Sequence, residues 1–254
     1  MNKIAIITGA TSGIGYATAK LLGKNNFNLI ITGRRKELLK KLKEELIAEH
    51  NVKVKDLCFD VRIRKEVIKS ISELPDDWRN IDVLVNNAGL ASGLDYIFEG
   101  DIEDWEKMID TNIKGLLYVS KEILPLMIAR KKGHVVNISS IAGQEVYEKG
   151  NVYCASKHAV SSLSKAMRLD LVKHNIKVTD LSPGMAETEF SIVRFHQDKE
   201  AAKKVYKGFT PLSAEDIADA ILYVITRPPH VCINELLIMP TAQASATVVN
   251  RTGI

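Results

Sequence analysis

Seven short runs rich in apolar and β-branched residues, at 4–7, 29–32, 57–59, 83–85, 135–138, 178–181 and 236–238, alternate with amphipathic or mixed stretches of helical period along the whole chain. That succession leaves few folds open. A strand, a helix and a parallel strand wind right-handed, and repeating the unit covers both faces of one sheet with helices. Strands buried on both faces read as continuous apolar runs, not alternating ones, which explains the character of these segments. A length of 254 residues has room for one large domain or two small ones. No linker, internal repeat or shift in composition divides the sequence. The expected fold class is therefore α/β, a doubly wound parallel sheet of about seven strands with helices on both faces, in one domain spanning 1–254.

Composition and charge remove several classes of function. Apolar residues make up 46% and charged residues 26% of the chain, a balance that builds a packed core and excludes disorder. Cys58, Cys154 and Cys232 are odd in number and scattered, with no CxxC pair. Neither a disulfide framework nor a thiolate metal site is written there, and the usage fits a reducing cytosol. The six histidines stand singly without ligand spacing, so no metal is expected. The first apolar run is too short for a signal-peptide core, and no stretch approaches the ~18 apolar residues of a membrane span. A cytoplasmic protein without a membrane partner is expected. The net charge of +4 is spread along the chain, and its densest basic stretch, 36–43, carries Leu38, Leu39, Leu42 and Leu46 on one helical face. That is the pattern of a solvated amphipathic helix, not of a nucleic-acid patch. One irregular stretch, 185–211, lies between Pro183-Gly184 and a capping box at Ser213 and Asp216, beyond a strand's C-terminal end, and is a candidate lid over a substrate site.

Directly after the first strand stands Thr8-Gly9-Ala10-Thr11-Ser12-Gly13-Ile14-Gly15, followed by a helix with Ile14, Ala17, Leu21 and Leu22 on its inner side. Glycines let the backbone turn tightly and approach a pyrophosphate, whose charge sits at the positive end of the helix dipole before unpaired N–H groups. Gly9, Thr11, Ser12, Gly13, Ile14 and Gly15 are thus the expected phosphate side of a Rossmann-type cofactor site. The second strand closes on Thr32-Gly33-Arg34-Arg35, where many NAD-binding units carry an acid for the ribose 2′-hydroxyl. Here that acid is missing. Arg34 and Arg35 suit a 2′-phosphate, so NADP is the expected cofactor over NAD. The competing reading, arginines that merely open a basic helix, weighs more on Arg35 than on Arg34.

The spacing of this turn, TGxxxGxG, resembles the short-chain dehydrogenase/reductase family, and the resemblance continues over essentially the whole chain. Asp60-Val61 is similar to the family's adenine-contacting pair. Asn86-Asn87-Ala88-Gly89 matches its turn after the fourth strand, with Asn87, Ala88 and Gly89 toward the cofactor. Pro183-Gly184 and Thr188 resemble its later turn and the threonine that meets the nicotinamide carboxamide. Tyr153 and Lys157, four apart, share one helical face. By itself the pair decides nothing, because Tyr16 and Lys20 repeat it without a serine or asparagine partner and read as scaffolding. Tyr153 differs because the run at 135–140 is a buried strand ending in hydroxyls, with Ser140 at the family's spacing, and because Asn112 completes the match. Alternation along the strand points Ser139 away from Ser140.

The chemistry asks for these types. Hydride reduction of a carbonyl builds negative charge on its oxygen and needs a placed proton donor. Oxidation needs a base, and a free tyrosine with pKa about 10 is a poor one at neutral pH. The resemblance implies Tyr153 as acid/base, with Lys157 lowering its pKa and holding the nicotinamide ribose. It further implies Ser140 bonding the substrate oxygen and Asn112 organising a water relay to Lys157. Cys154 and His158 point elsewhere and are read as packing and helix surface.

Within the family, Asn151-Val152-Tyr153, Thr188-Glu189-Phe190-Ser191, Val193-Arg194-Phe195 and Met239-Pro240-Thr241-Ala242-Gln243 look like the NADP-dependent 3-hydroxy acid dehydrogenases. That implies a small substrate such as serine, L-allo-threonine or 3-hydroxyisobutyrate. A carboxylate β to the alcohol needs a cation, and Arg194 is the candidate clamp, with Tyr147 lining the pocket. For Arg194 a solvated lid charge is the reading the sequence favours. Met185-Ala186-Glu187 is one residue shorter and less glycine-rich than the subgroup's turn. Two other activities stay open: an NADPH-dependent reductase of a larger carbonyl (a 3-oxoacyl thioester, a sugar or a pterin), and a non-catalytic NADP sensor. Intact Asn112, Ser140, Tyr153 and Lys157 argue against the sensor. The resemblance also implies a homotetramer, joined through the helices carrying Asn112 and Tyr153 and through the last strand. The tail, 240–254, is then available to pack on a neighbour instead of fraying.

Overall fold

Along the first strand Ile4 and Ile6 face one layer of the molecule while Ala5 and Ile7 face the other, as a two-residue period requires of a strand covered on both sides. The chain runs β1 (Ile4–Ile7), α1 (Gly13–Lys24), β2 (Asn28–Gly33), α2 (Lys36–His50), β3 (Val54–Cys58), α3 (Arg64–Ser72) and β4 (Ile81–Asn86). It continues through α4 (Ile102–Ile109), a π-helical turn (Asp110–Gly115), α5 (Leu116–Arg130), β5 (Gly133–Ile138), α6 (Asn151–Leu171) and β6 (Ile176–Pro183). It closes with α7 (Glu189–Arg194), α8 (Lys199–Lys204), α9 (Ala214–Ile225) and β7 (Glu235–Ile238). This is a computed structural model, and it describes residues 2–252. Among them seven strands, all parallel, pair in the order β3-β2-β1-β4-β5-β6-β7. The order reverses beside β1, and the crevice between the C-terminal ends of β1 and β4 is where a Rossmann-type sheet takes its ligand.

Helices α1, α2 and α9 bury Leu22, Leu39, Leu42, Leu46, Ile217 and Ile221 against one face. On the other, α3, α5 and α6 bury Val67, Ile71, Ile123, Met127, Val160 and Met167. Each fully buried Leu or Ile contributes about 1.5–3 kcal/mol, so three such leucines suffice to seat α2. Leu38, expected on that face, is exposed; its neighbours at three- and four-residue spacing already fill the contact. The third strand starts three residues earlier than its apolar run suggested and ends one earlier, at Val54–Cys58. As an edge strand it carries Lys55 and Asp56, which break the apolar signal, and Asp56 bonds Lys43 of α2. The segment expected to be irregular holds α7 and α8, and its two ends are tied together where Glu187 N–H donates to the Leu212 carbonyl and Leu212 N–H to that of Met185. The capping box at Ser213 and Asp216 opens α9. No helix among the described residues is long and apolar enough to cross a membrane.

Candidate active site

The first turn is set by its glycines. Gly9 and Gly13 have φ of +67° and +52°, a region that L side chains enter at a cost, and a Cβ at Gly15 would overlap the Gly9 carbonyl oxygen. Thr8 stitches this turn to the next: its Oγ1 accepts from the N–H groups of Asn87 and Ala88, at 3.0 and 2.9 Å. Asn87 Nδ2 donates to the carbonyls of Thr8 and Gly9. The Ser12 side chain leaves the N-terminus of α1 uncapped, so that end keeps its affinity for an anion. Above it opens a cavity of about 680 Å³ lined by the glycine turn, Arg34, Arg35, Asn87 to Gly89, Ser140, Tyr153, Lys157 and the segment after Pro183. Thr111, on the π-helical turn, also lines it, and its buried hydroxyl has no protein partner. A dinucleotide with a 2′-phosphate fits these features: an uncapped helix end, backbone accessible because glycines lack Cβ, an unpaired hydroxyl, and two arginines with Gly33 in place of an acid.

The two arginines differ. Arg35 is fully engaged on the protein, donating to Thr11 Oγ1 and Ser12 Oγ and pairing with Glu189 of α7 at 3.1 Å. Arg34 has only a long 3.7 Å contact with Asp60. Asp60, expected at the adenine, is gripped by Arg62 at 2.7 Å and does not line the cavity, whereas its neighbours Phe59 and Val61 do. Those bonds hold the Asp60 carboxyl below its ordinary pKa against the opposing effect of burial.

At the other end of the cavity, one turn of α6 presents Tyr153 and Lys157, both buried. Lys157 Nζ donates to the Ile138 carbonyl at 2.9 Å and stands 6.0 Å from the Tyr153 ring centroid. Burial pushes its pKa down to about 8, while Asp180 opposes the shift. Ser140 Oγ accepts from Ala142 N–H and makes a long 3.4 Å contact to the Pro183 carbonyl. Ser139 points the other way, to Ser161 and the Lys157 carbonyl. Asn112 lies in the π-helical turn, accepting from Leu90 N–H and donating to the Leu90 carbonyl and to Ser156 Oγ. Asn112 Oδ1 and Lys157 Nζ converge over Gly89, 3.3 and 3.4 Å from where its Cβ would stand. In the Tyr153 phenol the expected direction is reversed. Burial raises its pKa well above 10, and the groups that oppose this are the Ser140 hydroxyl and the Arg194 guanidinium.

Arg194 is not a solvated charge. It is half-buried, donates to Tyr147 Oη at 2.8 Å, and its guanidinium carbon lies 5.4 and 5.5 Å from the ring centroids of Tyr153 and Tyr147. Gly93 anchors this end of the lid, its N–H donating to the Arg194 carbonyl. Thr188 caps α7 and packs on Gly13, so the lid touches the glycine turn close to its start. Sequence reasoning gave no role to Leu90, Ala142, Phe190 and Val193, which pack around Tyr153, nor to Gln243, Ala246 and Thr247, which line the cavity. Phe190, Val193 and Gln243 stand in motifs that carry the resemblance but gave no function of their own; Ala246 and Thr247 carried no local signal.

Residues 3–199 match the family model for short chain dehydrogenases. The NADP-dependent 3-hydroxy acid dehydrogenase of Salmonella typhimurium strain LT2 is 47% identical, covering 96% of this chain and 97% of its own. Sulfoacetaldehyde reductase 2 of Chromohalobacter salexigens is 46% identical over 99% of this chain and 100% of its own. Among solved structures, the closed form of serine dehydrogenase complexed with NADP+ superposes with a TM-score of 0.91 at 44% identity, covering 98% of this chain and 99% of that one.

Proposed function

Since the chain belongs to the short-chain dehydrogenase family, we propose that it is an NADP-dependent oxidoreductase moving hydride between the nicotinamide and a small 3-hydroxy acid or 3-hydroxy amino acid of the serine, L-allo-threonine or 3-hydroxyisobutyrate type. The observation that carries this reading is the placement of Arg194, a guanidinium held by Tyr147 beside the ring of the proton donor. A cation there captures an anion one short carbon chain from the reacting oxygen. The 46% identical sulfoacetaldehyde reductase, whose name pairs an anionic group with a nearby carbonyl, fits the same logic. A thioester or pterin has no such anion to offer.

The glycine turn, Val61, Asn87 to Gly89, Pro183-Gly184 and Thr188 would hold NADP(H), with Arg34 available to its 2′-phosphate, and the bound nicotinamide would supply or accept the hydride. Tyr153, kept protonated by burial, gives its proton to the carbonyl oxygen as charge builds there and recovers it in the oxidation direction. Ser140 turns its hydroxyl from the long Pro183 contact to the same oxygen. Lys157 presents its ammonium beneath Tyr153 while bonded to Ile138, and Asn112 fixes the Leu90 backbone that walls the site. Arg194 grips the remote anion and so orients the alcohol carbon. The whole chain works as one catalytic unit, 1–254, with 185–211 as the lid.

The protein is a cytoplasmic homotetramer in this reading. Three free cysteines suit a reducing compartment. Exposed Ile109 and Leu117 flank the Asn112 turn, Leu169 and Val172 end α6, and Leu237 lies on the edge strand β7, so the surfaces implied for assembly carry apolar side chains.

The test is a panel of L-serine, L-allo-threonine and 3-hydroxyisobutyrate assayed with NADP and NAD side by side. Turnover with NADP preferred well over tenfold is expected; equal efficiency with NAD, or no turnover on the panel, refutes the reading. Arg194→Met should raise KM on the order of 30- to 100-fold, the loss of a charged hydrogen bond, with NADPH affinity unchanged by fluorescence titration.

A further inference from the structure

The C-terminal tail bears on the site in a way its sequence does not announce. Gln243 is 5% exposed, although it lies in a turn near the end of the chain. Its Oε1 accepts the Met185 N–H at 2.8 Å and its Nε2 donates to the Ser245 carbonyl at 3.0 Å. Met185 is where the lid departs from the sheet. Next to it, Gly184 has no room for a side chain: a Cβ would stand 2.5 Å from Gln243 Oε1 and 2.8 Å from Met239 Sδ. The Gly184 N–H donates to the Ile238 carbonyl, so the last strand and the tail hold this turn from two sides.

Beyond Gln243 the tail spans the mouth of the cavity. Ala246 N–H donates to Glu145 on the loop after Ser140, at 2.7 Å. Farther on, Arg251 donates to the carbonyls of Val205 and Lys207 and Thr252 N–H to that of Gly208, all at the far end of the lid. Ala246 and Thr247, between these anchors, line the cavity wall. Among the described residues, the tail thus packs on its own chain's lid.

We propose that Gln243 is a positioning residue for the reaction, fixing the Gly184–Met185 turn from which the lid springs, and that Ala246 and Thr247 set how long a substrate the site admits. The inference rests on the small hydroxy-acid reading. A buried amide that satisfies a backbone N–H at a hinge defines where the hinge residue sits, and displacement of a substrate wall by about 1 Å is enough to cost on the order of a hundredfold in rate.

Gln243→Leu keeps the volume and deletes both hydrogen bonds; Gln243→Glu keeps an acceptor for Met185. In hydrogen exchange read by mass spectrometry, the 184–187 segment of Gln243→Leu should exchange more than tenfold faster, with the rest of the sheet unchanged, and Gln243→Glu should restore most of the protection. The leucine variant should lose over tenfold in kcat/KM on the best panel substrate, while its NADPH Kd stays within threefold of the parent. Unchanged exchange at 184–187, or a loss of NADPH affinity and melting temperature as large as the loss of activity, overturns the positioning role. Ala246→Leu supplies an independent arm: kcat/KM for L-allo-threonine, which carries one more carbon than serine at the alcohol end, should fall more than that for serine, and an equal fall for both overturns the size-setting role. Failure of the parent enzyme on the whole panel would instead count against the substrate reading, and the exchange experiment would still decide the role of Gln243.

Discussion

Lys157 carries a charge in a place that resists it, and that cost is measurable. Burial lowers its pKa from 10.5 to about 8. Below pH 8 the folded and unfolded chains both bind the proton and the full penalty is present; between pH 8 and 10.5 only the unfolded chain stays protonated, so folding becomes more favourable as pH rises. Lys157→Met should therefore be inactive yet more stable at pH 7, by up to about 3 kcal/mol less about 1 kcal/mol for the lost bond to Ile138. Urea unfolding with no cofactor added should show that advantage at pH 7 and its disappearance by about pH 10.5; an equal gain at both would refute the electrostatic account. Tyr153, Lys157, Ser140 and Asn112 were legible because spacing within a helix or past a strand end fixes where such side chains go. Arg194 and Asp60 were not, since the first depends on how α7 packs over Tyr147 and the second on competition from Arg62, only two residues away.

Elements explain why one Tyr-x-x-x-Lys pair belongs to the site and the other does not. On α1, Tyr16 donates to Glu45 at 2.7 Å and Lys20 pairs with Glu49, so the second copy clamps α1 to α2. The Glu45 carboxylate raises the Tyr16 pKa to about 12, so the phenol stays a donor across the working range. Tyr16→Phe should cost about 1 kcal/mol in thermal or urea unfolding and leave kcat unchanged; a catalytic loss would return this pair to consideration. The same level shows where patterns fade. Central strands announced themselves because two buried faces demand unbroken apolar runs, whereas β3 has a free edge and admits Lys55 and Asp56. The lid's helices are six residues each, too short for a helical period to emerge from a charged sequence. Their caps, Thr188 and Asp198, are the stronger signal.

For the whole molecule, the alternation of strand and helix was enough to place the ligand crevice, because strand order and right-handed crossovers bring the first and fourth strand ends together. It could not place the tail, whose small residues fit many surfaces and whose partners, Met185, Glu145 and Lys207, lie far away in sequence. Light scattering on the purified protein should report four chains per particle, and Leu169→Glu, at a side chain 78% exposed in the single chain, should split it. A monomeric parent would be the adverse result. The lid meets Gly13 through Thr188 and Arg35 through Glu189 at one end of the cavity, and holds Arg194 against Tyr147 at the other. Both ends belong to one continuous segment tied shut between Met185 and Leu212. The coenzyme end and the substrate end of the cavity are thus bordered by the same continuous segment, so a shift of that segment at one end bears on the other.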